Sequence, residues 1–208
     1  AKHKNEDYRT ICVVGDSALT GGLAYEALNN IGYNQTDMVI LLNDNKMGIS
    51  KNVGAFHEYL KRLSTISTDD KSRRNIGTIF EKLGFNYYGP IDGHNFEEML
   101  HVFNEMKQIK GPKIVHVLTQ KGKGVDFMEK DMAKWHEHAA FDVETGRPMA
   151  ARGNDKAPLP SIEALAIETL IKLAEKDPQI IGLTAAMAAG SGMAKFGEKF
   201  PQRFYDVG

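Results

Sequence analysis

The sequence predicts an α/β fold: a mostly parallel sheet flanked by helices, followed by the start of a second α/β module. Three observations carry that prediction. Short β-branched runs alternate with longer stretches of helical periodicity, as in βαβ units. A Gly-, Pro-, Asp- and Lys-rich break interrupts the pattern after residue 127, and a capped helix and a new strand then restart it. The 208 residues, 42% hydrophobic and 25% charged, suffice for one sizeable core or one core plus part of another.

Taken in order, residues 10–14 read as a buried strand ending at Gly15-Asp16-Ser17, and residues 20–30 as a helix that Gly32 stops. Cys12, mid-strand between apolar neighbours, is expected to be an inert core residue. Residues 38–42 form a second buried strand and lead into the polar loop Asn43-Asp44-Asn45-Lys46. Residues 55–63 read as helix, and residues 64–74 as a polar loop. Phe85-Asn86-Tyr87-Tyr88 read as a short strand closed by Gly89-Pro90. Phe96, Met99, Leu100, Phe103 and Met106 make a helical stripe, and residues 113–119 are a third strong strand. On that strand His116, between Val115 and Val117, is expected to be a hydrogen-bonded core histidine. Residues 151–160 read as a linker. Ser161 then caps a helix carrying Leu165, Ile167, Leu170, Ile171 and Leu173, Asp177-Pro178 ends it, and residues 180–183 open a strand. The expected division is a module over 1–150, a linker over 151–160, and the beginning of a second, incomplete module over 161–208.

Composition narrows the function classes. Lys and Arg total 26 against 27 for Asp and Glu, a net charge of −1, which offers no electrostatic footprint for nucleic acid or an anionic membrane. The apolar runs are too short to span a bilayer. Neither nucleic acid nor membrane is therefore expected as a partner. The single cysteine excludes an intrachain disulfide and a multi-cysteine metal site, and it favours a reducing, cytoplasmic setting. The polar start without Met and the apolar-rich end lead us to expect a piece of a longer protein.

The chemistry concentrates at two loops. Gly15-Asp16-Ser17-Ala18 follows one strand and Asn43-Asp44-Asn45 the next, and in a parallel sheet ligands gather at the carboxyl ends of strands. Asp16 is a hard oxygen ligand and Asn45 offers an amide oxygen. Such a partial cage suits Mg²⁺, which shares its shell with phosphate and water. Gly21 and Gly22 permit close backbone approach near a helix start, whose free N–H groups favour phosphate. Gly-Asp after a strand is also ordinary turn chemistry. The second loop at the matching place, 29 positions after Asp16, tips the balance toward a site.

Residues 15–22 and 24–30, Leu42-Asn43-Asp44-Asn45, residues 49–55 and Gly89-Pro90-Ile91-Asp92-Gly93-His94 together resemble the 1-deoxy-D-xylulose-5-phosphate synthases. So do Lys121-Gly122-Lys123-Gly124, Phe141-Asp142 and residues 200–208, which carries the resemblance along essentially the whole chain. That family belongs to the transketolase-like thiamine diphosphate enzymes. The resemblance implies condensation of pyruvate with D-glyceraldehyde 3-phosphate, with loss of CO₂, in a homodimer whose thiamine diphosphate lies between two modules. It implies that Asp16, Asn45 and the Met47 carbonyl hold Mg²⁺. Gly15, Ser17 and Ala18 would meet the diphosphate through the backbone, and His136 would be catalytic on the substrate side. It also implies a catalytic Glu beyond Gly208 and a histidine before Ala1, so the 208 residues alone are expected to be inactive.

Three departures from the family pattern stand out. Ser17 replaces the second Gly of Gly-Asp-Gly, with strain expected only if the position needs a glycine conformation. Val125, in the cofactor-binding set, replaces the family's aromatic after Lys-Gly-x-Gly. A long helical segment of the family is missing near residues 64–74. Two other readings stay open: another transketolase-like enzyme, and a non-catalytic paralogue or binding module. Asp92 and His94 divide evenly between a turn and a chemical role, and Trp135 between a site wall and a packed aromatic.

Overall fold

The computed structural model describes residues 8–48, 52–65, 77–132, 135, 140–149 and 160–207. Residues group into two compact units, one holding 8–48 and 54–120 and the other 52–53 and the described residues from 121 onward.

In the first unit four strands run in the order β1-β2-β4-β3: β1 (Thr10–Gly15), β2 (Met38–Asp44), β3 (Asn86–Asp92) and β4 (Lys113–Leu118). All three pairings are parallel, as expected, and helices connect successive strands. Helices α1 (Gly22–Tyr33), α2 (Ala55–Ser64) and the short α3 (Ile79–Lys82) cover one face. Their Leu28, Leu60, Leu63 and Phe80 pack with Ile40, Leu42, Tyr87 and Ile114. Helix α4 (Phe96–Met106) covers the other face, where Val102 and Met106 meet Val39, Tyr88, Ile91, Val115 and Val117. The period-2 alternation along β2 and β4 sends neighbouring side chains into opposite cores.

Four local expectations are corrected. β1 is an edge strand rather than a buried one: Ile11 and Val13 are 62% and 66% exposed. Cys12 on the same strand is exposed, not a core residue. Helix α1 runs through Gly32 instead of stopping there, and a Cβ at that glycine would lie 1.9 Å from the Leu83 carbonyl oxygen. Gly32 is thus a packing glycine, where backbone meets backbone. β3 likewise continues through Gly89-Pro90, with its register against β4 shifting between Tyr88 and Ile91.

In the second unit, α5 (Asp126–Glu129) follows the Lys-Gly-Lys-Gly loop, and Phe127, Trp135 and Phe141 form an aromatic cluster with ring centroids 4.8–6.3 Å apart. Trp135 is therefore a packed aromatic. The expected Ser161 cap is present, its hydroxyl accepting the Ala164 N–H at 3.2 Å at the start of α6 (Ile162–Lys176). Strands β5 (Gly182–Thr184) and β6 (Phe204–Asp206) pair in parallel, joined through α7 (Ala194–Lys199). The Arg203 guanidinium donates to the carbonyls of Ala174, Asp177 and Ile180 at 3.1–3.2 Å, closing the end of α6. It also stacks 4.1 Å from the Phe200 ring. The Phe-Pro-Gln-Arg-Phe motif thereby acquires a structural role. No described helix is long and apolar enough to cross a membrane.

Candidate active site

β1 and β2 run in register from Thr10 opposite Met38 to Gly15 opposite Asn43, so both deliver their loops to one end of the sheet. The Asp16 N–H donates to the Asn43 carbonyl at 3.2 Å and ties the loops together. Beyond Gly15 the chain turns at once. Asp16 is helical, and residues Ser17–Thr20 form one 3-10 turn, with the Thr20 hydroxyl donating to the Ser17 carbonyl at 2.6 Å. Ser17 is not among the non-glycine residues at positive φ, which are Gln35, Lys46 and Ala186 among the described residues. The serine therefore fits without strain. A Cβ at Gly15 or at Gly22 would meet no atom within 4 Å, so packing does not demand either glycine.

The second loop is a double turn. Asp44 Oδ1 accepts the Lys46 N–H at 3.0 Å, and Asn45 Oδ1 accepts the Met47 N–H at 3.0 Å. Lys46 between them is left-handed, with φ 61°. The other Asp44 oxygen, Oδ2, lies 3.0 Å from His116 Nε2, and His116 Nδ1 lies 2.7 Å from the Tyr87 hydroxyl. All three side chains are buried, with His116 at 0% exposure. Register explains the convergence, since His116 on β4 stands opposite Leu42 on β2. Gly89 makes room for it: at φ 120° its Cβ would lie 2.5 Å from the His116 carbonyl oxygen.

Asp16, 3% exposed, has its carboxyl pushed up to about 6, first by burial and then by the charge and hydrogen bond of Asp44. Burial acts to raise Asp44 too, but hydrogen bonding and charge from His116, with the Lys46 N–H, hold it below the usual carboxylate range. Burial pushes the Tyr87 phenol up, so it stays protonated beside His116 Nδ1. His116 Nε2 faces the Asp44 carboxylate at 3.0 Å. The result is a buried, hydrogen-bonded acid pair in which Asp44 is the more acidic member and Asp16 the less acidic one, beside two loops rich in oxygen acceptors.

The fold brings Gly15, Asp16, Ser17 and Ala18 to the same end of the sheet as Asn45 and Met47. Among the described residues no three His, Cys, Asp or Glu side chains gather as a metal cage. The expected donor set needs only one carboxylate, one amide oxygen and one carbonyl, and the residues present fit it. Val125 belongs to the second unit, at the N-cap of α5, between glycines and a helix that the Gly122 and Gly124 positive φ values of 75° and 89° shape. His136 lies outside the described residues. Asp92 and His94 are engaged in a turn: Asp92 Oδ1 accepts the His94 N–H, and His94 Nε2 accepts the Gln120 N–H, each at 2.8 Å. Sequence reading missed Asp44 and Tyr87 as members of the site's hydrogen-bond system. The one available signal was a histidine on a buried strand, which must find a partner.

A family model described as 1-deoxy-D-xylulose-5-phosphate synthase matches residues 1–77 and 66–119. The 1-deoxy-D-xylulose-5-phosphate synthase of Caldanaerobacter subterraneus is 42% identical over 236 residues, covering 99% of this chain and 37% of the relative. Those of Alkaliphilus oremlandii and Pasteurella multocida are 40% and 39% identical over 240 and 235 residues, covering all of this chain and 38% of each relative. The chain thus spans little more than a third of the length of the curated relatives it matches. The two matched stretches overlap at residues 66–77, and the alignments are longer than the 208-residue chain, so the relatives carry residues with no counterpart here.

Proposed function

Since the chain belongs to the 1-deoxy-D-xylulose-5-phosphate synthase family, we propose that it supplies the diphosphate- and metal-holding part of an enzyme condensing pyruvate with D-glyceraldehyde 3-phosphate. The product is 1-deoxy-D-xylulose 5-phosphate, with loss of CO₂. The observation that carries this reading is the pairing of the Asp16 loop with the Asn45–Met47 turn at the ends of adjacent parallel strands. Asp16, Asn45 and the Met47 carbonyl hold Mg²⁺. Gly15, Ser17 and Ala18 offer backbone groups to the diphosphate, and open space at Gly15 supports such an approach. By family resemblance, Val125 is assigned a cofactor-binding role and His136 a catalytic one.

Thiamine diphosphate, when bound, supplies the thiazolium carbon at which the acyl group of pyruvate is carried. The residues of this chain anchor and orient it. The Asp16 carboxyl, raised by burial, would give up its proton to hold a cation, with Asp44 ionised beside it. The same reading includes a homodimer acting in the cytoplasm and a division into a 1–150 module, a 151–160 linker and a second module over 161–208. The test is an assay of the full-length protein with pyruvate, D-glyceraldehyde 3-phosphate, thiamine diphosphate and Mg²⁺. Stoichiometric CO₂ and 1-deoxy-D-xylulose 5-phosphate are expected. Release of CO₂ without the sugar phosphate, or turnover only with ketose donors, points to another transketolase-like activity and overturns the substrate assignment.

A further inference from the structure

We propose that Tyr87 and His116 are positioning residues of the cation–diphosphate site, acting through Asp44 on the turn that presents Asn45 and Met47. The proposal rests on the functional reading above and names residues outside its ligand set. Asp44 is the joint. One of its oxygens accepts from the Lys46 N–H at 3.0 Å and the other faces His116 Nε2 at 3.0 Å. The first bond holds Lys46 in the left-handed conformation that the double turn requires. The second stops the carboxylate from rotating away from it. The His116 ring is in turn held in orientation by the Tyr87 hydroxyl, 2.7 Å from Nδ1.

A purely structural reading explains this arrangement poorly. Three buried polar side chains on β2, β3 and β4 cost desolvation that apolar residues of similar volume avoid. Their surroundings are apolar: Tyr87 stacks on Phe80 at 5.8 Å and belongs to the cluster with Leu42 and Ile114. The hydrogen-bond chain nevertheless leaves that core and ends on the one turn that carries two expected ligands. Gly89, whose Cβ would lie 2.5 Å from the His116 carbonyl oxygen, shows β3 shaped around the same histidine. Partners one step behind metal ligands act in this way, holding a ligand's orientation without touching the ion.

The test is Mn²⁺ titration of the full chain with thiamine diphosphate, followed by electron paramagnetic resonance, with thermal melting of each variant alongside. Tyr87→Phe removes only the hydroxyl. His116→Leu removes the donor to Asp44, and His116→Gln can keep an N–H there. Mn²⁺ affinity is expected to fall about 10–100-fold in His116→Leu and about 3–10-fold in Tyr87→Phe, while His116→Gln stays within about threefold of the parent. Should His116→Leu fail to fold, Tyr87→Phe against His116→Gln decides. Lower melting temperatures with unchanged Mn²⁺ affinity overturn the positioning role and leave a core hydrogen bond. A parent chain that binds no Mn²⁺ with thiamine diphosphate removes the functional reading and this proposal with it.

Discussion

β1 and β2 lie side by side in one register, carry apolar runs of similar composition, and each hands a loop to the candidate site, yet their surroundings are opposite. β2 is central, with α2 and α4 on its two faces and Leu42 fully buried. β1 is the sheet edge, and Ile11 and Val13 stand in solvent. Their loops differ in the same sense. The Asp16 turn has ordinary backbone angles, a backbone bond to its neighbour and a carboxyl that hydrogen-bonds Asp44 and is raised by burial. The Asn45–Met47 turn is braced from the core through Asp44, His116 and Tyr87, and it contains a left-handed lysine. One half of the site is braced from the core; the other, at the open edge, is left adjustable, with its carboxyl hydrogen-bonded to Asp44.

The largest effect that sharpens this contrast is on stability. In the 208-residue chain, Leu42→Ala should cost about 2–5 kcal/mol, whereas Val13→Ala should stay within about 0.5 kcal/mol. Chemical denaturation measures both, and equal costs would mean that β1 is not an open edge.

The next effect is on pH dependence. The Asp16 carboxyl is raised in the folded protein from its usual 3.8 to about 6, so between those values the native state holds more protons than the unfolded one. Without a cation, this group's contribution to stability therefore falls as pH rises across that window, and it is level above. A cation that must displace the proton gains up to about tenfold in affinity per pH unit below 6 and little above 7. Calorimetry at pH 5.5 in two buffers of different ionisation enthalpy should detect the released proton.

The smallest effects have opposite signs in the two loops. Lys46→Gly relieves a left-handed residue and should stabilise by up to about 1 kcal/mol. Ser17→Gly loosens a residue with no strain and should destabilise by about 0.5–1 kcal/mol. Thermal melts that moved in the same direction would erase the distinction between an adjustable and a braced loop.

Much of this was legible in the sequence, for reasons that the structure makes specific. The α/β class, the three main strands and the helices from Ala55 and Phe96 followed from apolar periodicity, which burial on one face imposes. Gly15-Asp16 and Asn43-Asp44-Asn45 were visible because each ends a strand run. Strand order was not legible, because an edge and a centre can carry the same apolar run, and Cys12 was misplaced on that account. Gly32 and Gly89 looked like stops because glycine punctuates chains. Each instead lets backbone approach backbone, at the Leu83 and His116 carbonyls, which are far away in sequence. The Tyr87–His116–Asp44 chain needed the pairing of β2, β4 and β3, which no local pattern encodes.

The central claim is that the Asp16 loop and the Asn45–Met47 turn act jointly on one cation and one diphosphate. Calorimetry of thiamine diphosphate binding to the full-length protein, with and without Mg²⁺, tests it in the parent, Asp16→Ala and Asn45→Ala. The account predicts Mg²⁺-dependent binding in the parent and its loss in each variant, because an octahedral ion shared by two loops is not held by one. Mg²⁺-dependent affinity as tight as the parent's in either folded variant would contradict it.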